Sequence, residues 1–127
     1  MYKVSFLLFG NHIQINGLLD SGNSLYDTKT GKAVIIVSLN AIKKFISIDD
    51  YKKLCGDEAT HYKIINQLQC STVGEKKVTL PIIDIGEVVI ENFEDGAQKK
   101  FKCVIGITKE DFLEKNDYEC LLHREFI

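Results

Sequence analysis

Hydrophobic and polar residues alternate along the first part of the chain, as they do in strands that bury one face. The alternation covers Tyr2 to Phe9 and Ile13 to Leu19, with a Gly10-Asn11 turn between them. Glycine and asparagine are common hairpin-turn residues. The chain is therefore predicted to begin with a β-hairpin whose second strand runs directly into an acid, Asp20.

The next part of the chain predicts one strand and a helical insert. The run Ala33 to Val37 is apolar throughout, which is typical of a strand buried on both faces. The segments Ser38 to Ile46 and Asp49 to Cys55 have apolar residues three and four apart. Each begins with a residue type that often caps helices, so short helices are expected here.

The second half of the chain returns to strand patterns. His61 to Val73 and Val78 to Glu91 predict a long hairpin, whose tip at residues 74–77 contains glycine and charged residues. Lys99 to Ile107 predicts a further strand after a turn at residues 92–96. The fold class is therefore mainly β with short helices.

Two predictions concern the end of the chain. Thr108 is predicted to cap a short helix that covers residues 108–115. The last segment, Glu119 to Ile127, is apolar enough to be buried.

Length and charge limit the classes of function. The 127 residues, 45% of them hydrophobic, fit a single domain that spans residues 1–127. The net charge is −2 and no basic block is present, which argues against a nucleic-acid partner. The longest apolar runs are about five residues, far below the roughly 18 that span a bilayer. The chain is expected to be soluble as given.

The residues that most often bind metals are scattered. The chain has four cysteines and three histidines, none in a closely spaced pair: Cys55, Cys70, Cys103, Cys120, His12, His61 and His123. Without a Cys-x-x-Cys pair, reduced cysteines that pack as small hydrophobic residues are expected, and no metal or other cofactor. Ser21 and Ser24 lack the Gly-x-Ser-x-Gly context of a serine nucleophile.

The segment Gly-Leu-Leu-Asp-Ser-Gly-Asn-Ser-Leu at residues 17–25 carries the candidate chemistry. It places Asp20 after two large apolar residues and before a polar turn. The Ser21 hydroxyl could tie the loop down, and Gly22 could take a positive φ and allow close approach of another chain. The alternative is an ordinary surface turn, because these residue types are the commonest turn formers.

The hydrophobic-hydrophobic-Asp-Ser-Gly pattern in a mainly β chain resembles the active-site loop of aspartic proteases of the pepsin and retropepsin type. Residues 17–25, 30–37 (TGKAVIIV), 70–74 (CSTVG) and 121–123 (LLH) are similar, more narrowly, to the C-terminal protease domain of the sporulation sigma-E factor-processing peptidase of endospore-forming bacteria. The resemblance covers nearly the whole chain. It implies a retropepsin-like, half-pepsin acid protease barrel.

The resemblance also implies roles for individual residues. Asp20 would be catalytic, and Ser21, Gly22 and Asn23 would form the active-site loop, with Ser21 as its bracing hydroxyl. The flap over the substrate would be formed by Val73, Gly74, Glu75 and Lys76. The segment Leu121 to Glu125 would take the place of the retropepsin hydrophobic-hydrophobic-Gly-Arg-Asp/Asn segment, with His123 where retropepsins have glycine.

Aspartic proteolysis needs two carboxylates around one water, one ionised as the base and one protonated. The chain contains one Asp-Ser-Gly motif, since Asp84-Ile-Gly86 lacks the hydroxyl and Asp95-Gly96 sits in a charged turn. A two-fold homodimer would place two Asp20 side chains together, where they would share a proton.

In the family it resembles, the domain follows membrane-spanning helices, which are absent from this chain, and lies on the cytoplasmic side of the membrane in the mother cell. There it removes the N-terminal pro-sequence of the sigma-E precursor after a signalling protein triggers its activity. The resemblance therefore implies three partners: a second copy, the precursor and the signalling protein. The alternative function is a non-catalytic β-domain for dimerisation or partner binding, in which Asp20 is only a turn residue.

Overall fold

The computed structural model describes residues 1–56, 60–71, 77–109 and 117–126. Within these ranges, seven strands form one sheet. The strands are β1 (Tyr2–Leu8), β2 (Asn11–Leu19), β3 (Ala33–Ser38), β4 (Ile64–Ser71), β5 (Lys77–Asn92), β6 (Gln98–Thr108) and β7 (Cys120–Leu122). The helices are α1 (Leu39–Ile42) and α2 (Ile48–Cys55), with 3-10 turns at Lys43–Phe45 and Arg124–Phe126.

Six of these strands close into a barrel because β1 pairs with β2 on one side and with β5 on the other. The order around the barrel is β1-β2-β7-β3-β6-β5. The strand β4 lies outside this ring and forms an antiparallel hairpin with β5. Closure removes exposed sheet edges, so β4 carries the free edge in the described part of the sheet. The mainly β fold with short helices is confirmed, and its small barrel is consistent with a half-pepsin.

The first hairpin forms as predicted, but its turn lies one residue earlier than the Gly10-Asn11 prediction. Leu8 pairs with Asn11, which leaves Phe9 and Gly10 as the turn. Their φ angles are 53° and 78°, the left-handed values that two-residue hairpin turns require at both positions. The Phe9 ring stacks on the ring of His61 with centroids 4.0 Å apart, and this contact helps to stabilise an unusual backbone for phenylalanine.

The helical insert is confirmed, although its caps differ from the prediction. The helix α2 begins at Ile48, and the Ser47 hydroxyl accepts a hydrogen bond from the backbone N–H of Asp50 at 3.0 Å. Ser47 is therefore the cap, and not Asp49. Ser38 makes no side-chain capping bond and belongs to β3.

His61 joins this insert to the start of β4. Its Nδ1 accepts the backbone N–H of Lys63 at 3.1 Å, so Nε2 carries the hydrogen that is donated to Asp50 Oδ1 at 2.8 Å. The hydrogen bond from His61 lowers the pKa of Asp50. Both ring nitrogens of this buried histidine are thus used within the fold. The turn at residues 62–63 also explains why β4 begins at Ile64 and not at His61 as predicted.

The core has two parts. The larger one fills the barrel and contains Val4, Ile15, Ile35, Ile105 and Leu122 among its fully buried side chains. The smaller one lies under the hairpin of β4 and β5 and contains Val34, Leu68, Leu80, Ile82 and Val104. Burial of such apolar side chains is the main favourable contribution to folding.

The C-terminal segment is buried as predicted, since β7 lies between β2 and β3 in the barrel. Thr108 is the last residue of β6, and residues 110–115 of the predicted helix lie outside the described residues. In the ranges that the structure describes, no helix has the length and apolar character needed to cross a membrane.

Candidate active site

Asp20 lies at the point where two parallel strands end at the barrel surface. Leu18 and Leu19 pair in parallel with Leu121 and Leu122 of β7. The backbone N–H of Asp20 then makes a long hydrogen bond, 3.4 Å, to the carbonyl of Leu122. Asp20 itself is half-buried. A rigid pair of strands therefore delivers the carboxylate to a place where solvent or substrate can reach it.

A tight turn fixes the Asp20 carboxylate. Its Oδ1 accepts the backbone N–H of Gly22 at 2.9 Å, and its carbonyl accepts the N–H of Asn23 at 3.0 Å. Asp20 is thus held by its own side chain as well as by the strand before it.

The prediction of a positive φ at Gly22 is wrong. The glycines with a positive φ among the described residues are Gly10, Gly31, Gly86 and Gly96. The lack of a side chain at Gly22 matters in a different way. A Cβ atom there would lie 3.2 Å from Asp20 Oδ1, closer than nine in ten real Cβ contacts. A side chain at this position would therefore require the Asp20 carboxylate to shift by a few tenths of an ångström.

Ser21 is exposed, and its hydroxyl has no hydrogen-bond partner among the described residues. Among the described residues of one chain, no contact of Ser21 shows the bracing role. That role stays a prediction for the assembled dimer.

Asn23 anchors the loop from below. The side chain is 5% exposed, and its Nδ2 donates to the carbonyl of Val34 in β3 at 3.0 Å. Longer contacts of 3.5 Å reach the carbonyls of Leu121 and Leu122 in β7. The carbonyl of Asn23 in turn accepts the N–H of Arg124. The sequence placed Asn23 in the active-site loop but gave no sign of this anchoring role.

The segment at residues 121–125 lies beside the loop, with His123 beneath it. His123 is fully buried, its Nδ1 accepts the N–H of Glu125 at 3.0 Å, and the edge of the Tyr26 ring meets it at a centroid distance of 4.6 Å. The Tyr26 hydroxyl donates to Glu125 Oε2 at 2.6 Å, which raises the pKa of Tyr26. Burial lowers the pKa of His123, and the neighbouring Glu125 carboxylate opposes this shift only in part. The imidazole fills the space that a glycine would leave.

Asp27 is a second acid near the loop, and its role is structural. It is 1% exposed. Its Oδ1 accepts from the Asn66 amide at 2.8 Å, and its Oδ2 accepts from the N–H and hydroxyl of Thr30 at 2.9 and 2.6 Å. Burial acts to raise the pKa of Asp27, but these hydrogen bonds outweigh it and lower the pKa overall. No pattern in the sequence singles out Asp27.

This lowered pKa predicts how stability depends on pH. The ionised Asp27 stabilises the fold at pH values above its unfolded pKa of about 3.9, and this contribution is lost as the pH falls through the lower folded pKa. Asp27→Ala should therefore reduce the free energy of unfolding clearly at neutral pH and less at pH values near 2. Urea unfolding of both proteins at several pH values measures the difference. An equal difference at every pH would contradict the assignment.

The other motif-like acids are engaged away from Asp20. Asp84 forms an ion pair with Lys32 at 2.9 Å and accepts the N–H of Gly86. Asp95 accepts the N–H of Ala97 in its own turn. In the described portions of the chain, no group of three His, Cys, Asp or Glu side chains could hold a metal ion. The predicted flap at Val73–Lys76 lies outside the described residues, although the hairpin that would carry it is present.

A half-pepsin-like barrel that presents an Asp-Ser-Gly loop beside its C-terminal strand belongs to the class of peptidase domains. The chain belongs to the peptidase family U4, described as sporulation factor SpoIIGA, whose family profile matches residues 1–126. The family resemblance in the sequence is confirmed, and the chain is a sporulation protease domain. No curated protein matches the chain, and no solved structure does.

Proposed function

We propose that this domain is an aspartic endopeptidase half-site, active when two copies bring their Asp20 side chains together across a two-fold axis. The observation that supports it best is the way Asp20 is held. The strand pair β2 and β7, the Gly22 N–H and the Asn23 anchor all fix one half-buried carboxylate at the surface. All three supports hold the carboxylate at a position that a second copy or a substrate can reach.

In the dimer, one Asp20 is ionised and the other is protonated, because two carboxylates so close share a proton. The ionised carboxylate takes a proton from water, whose oxygen attacks the peptide carbonyl. The protonated carboxyl donates its proton to the carbonyl oxygen. Collapse of the tetrahedral intermediate breaks the C–N bond. The carboxyl that took the proton from water gives it to the leaving nitrogen, and the other carboxylate takes a proton from a hydroxyl of the intermediate.

The loop residues fit this arrangement. The Ser21 hydroxyl is exposed beside Asp20 and is free to hydrogen bond with the loop of the second copy. Gly22 is also exposed, and its lack of a side chain allows two loops to approach each other. The proposed interface therefore contains the atoms that a single chain leaves unused.

The substrate proposed is an extended peptide, the pro-sequence of the sigma-E precursor. Peptides in extended form bind to free sheet edges through backbone hydrogen bonds, and β4 offers such an edge in the described sheet. In the full-length family protein the domain would work at the cytoplasmic face of the mother-cell membrane. A signalling protein from the other compartment would trigger it.

Activity should depend on the concentration of the chain. We expect the isolated domain to be mostly monomeric and nearly inactive, since two copies at micromolar concentration meet less often than two tethered ones. A tandem fusion supplies an effective concentration of about 1 mM. Cleavage of the sigma-E precursor, measured against enzyme concentration, should be second order for the single domain and first order for the fusion.

A fusion of an active copy with an Asp20→Asn copy is the matched control, because it has the same linker and only one ionisable Asp20. If cleavage by the single domain at nanomolar concentration were first order in enzyme, the proposal that one chain is only half of the active site would be contradicted. A fusion that dimerises but never cleaves would favour a non-catalytic domain.

A further inference from the structure

The strand β4 contains a β-bulge at its start. Ile64 pairs with Ile83 and Asn66 pairs with Ile82, so Ile65 is an extra residue without an opposite partner. A bulge turns the following side chain into a new direction. The carbonyl of Ile65 accepts a hydrogen bond from Lys29 Nζ at 2.9 Å. The irregular backbone is thus joined to the loop that follows Asp20.

The side chain of Asn66 makes the second link to that loop. Its Oδ1 accepts the backbone N–H of Gln67 at 2.9 Å, which leaves the amide N–H groups pointing away from β4. These donate to Asp27 Oδ1 at 2.8 Å and to the Thr28 hydroxyl at 3.0 Å. Every polar atom of the Asn66 amide is therefore used.

Asp27 cannot easily turn away from Asn66. Its second oxygen is held by Thr30, and the side chain is buried. Below it, Leu25 and Ile65 both pack against the smaller core. Polar and apolar contacts therefore hold the same two segments, residues 25–30 and the start of β4, in one fixed relation.

We propose that Asp27 and Asn66 are positioning residues that hold the edge strand β4 at a set place relative to the Asp20 loop. This inference rests on the proposed function, in which a substrate strand lies between β4 and the catalytic carboxylates. The link acts through β4 and touches no reacting atom. Its loss changes how the substrate is aligned, and misalignment of about 1 Å costs about 100-fold in rate.

The variant Asn66→Asp tests the positioning role, because it makes the contact between residues 27 and 66 depend on pH. Two carboxyl groups at this distance share one proton at low pH, so the introduced carboxyl group still donates a hydrogen bond to Asp27. At higher pH both groups ionise and repel each other. In the tandem fusion, kcat/KM relative to the unmodified fusion should be close to one near about pH 5 and fall by about 10- to 100-fold near about pH 8, mainly through kcat.

Two further variants serve as controls. Gln14→Glu adds a carboxylate to the exposed face of β2, outside the proposed substrate edge, and its activity relative to the unmodified fusion should not change with pH. The exchanged pair Asp27→Asn with Asn66→Asp restores one amide and one carboxylate, and it should recover activity at about pH 8. Circular dichroism of each variant at both pH values checks that the barrel remains folded.

Hydrogen exchange separates this inference from the proposed function. At about pH 8, Asn66→Asp should speed exchange of the β4 amides and leave those of β2 unchanged. If the unmodified fusion does not cleave, the proposed function fails, while faster exchange in β4 still supports the link. An unchanged pH profile in a cleaving fusion, or unchanged exchange in β4, would overturn the positioning role.

Discussion

Replacing Asp20 by asparagine should abolish peptide cleavage and leave the fold intact. The amide keeps an oxygen that can accept the Gly22 N–H, so the turn survives. It cannot take a proton from water, and loss of the general base and acid should lower kcat by at least about 10⁴-fold. The measurement is cleavage of the sigma-E precursor by the tandem fusion, with thermal unfolding as the fold control.

Asp95→Asn is a closely matched control. Asp95 Oδ1 accepts the N–H of Ala97, two residues on, at 2.8 Å, which is the same kind of turn that Asp20 makes with Gly22. Its replacement should leave cleavage unchanged. If Asp20→Asn retained wild-type activity, the acid would be only a turn residue and the mechanism would be wrong.

Gly22→Val should prevent dimerisation and activity together. Its Cβ would stand 3.2 Å from Asp20 Oδ1, and its branched side chain would occupy the space between two facing loops. Overpacking of this kind costs about 1–3 kcal/mol, which weakens dimerisation by about 5- to 150-fold. Analytical ultracentrifugation of the single domain at about 1 mM, where the wild type is expected to associate, measures the loss of dimer.

The control is Gln14→Val, which places the same side chain on the exposed face of β2, towards the hairpin turn and away from Asp20. It should associate like the wild type, and circular dichroism should show both variants folded. Normal dimerisation of a folded Gly22→Val variant would show that the Asp20 loop does not lie at the interface.

The sequence predicted most strands because burial on one face leaves an alternating pattern and burial on both faces leaves a continuous apolar run. The first turn was predicted one residue late because phenylalanine rarely has a positive φ. The ring that stacks on Phe9 belongs to His61, which lies 52 positions further along the chain, so no local pattern reveals this contact. The link between Asp27 and Asn66 left no pattern at all. It depends on a bulge at Ile65, and the pairing register that creates a bulge is decided by tertiary packing.

The site residues also divide into those that a local sequence pattern reveals and those whose role depends on contacts with distant strands. Asp20, Ser21 and Gly22 form a local motif, so the sequence was enough to select them. The anchoring by Asn23 depends on carbonyl groups of β3 and β7, and the sequence carries no local sign of it. Local chemistry could be predicted, whereas the contacts that hold it in place come from distant strands.

The parallel pairing of β2 with β7 also affects the order of folding. The contacts of Asn23 with Leu121 and Leu122 close loops of 98 and 99 residues, and contacts between such distant residues form slowly. During synthesis, the ribosome must complete residues 120–124 before the Asp20 loop can be ordered. A nascent chain therefore carries the Asp-Ser-Gly motif before β7 can hold its loop. Under the proposed function, incomplete chains are inactive for this reason.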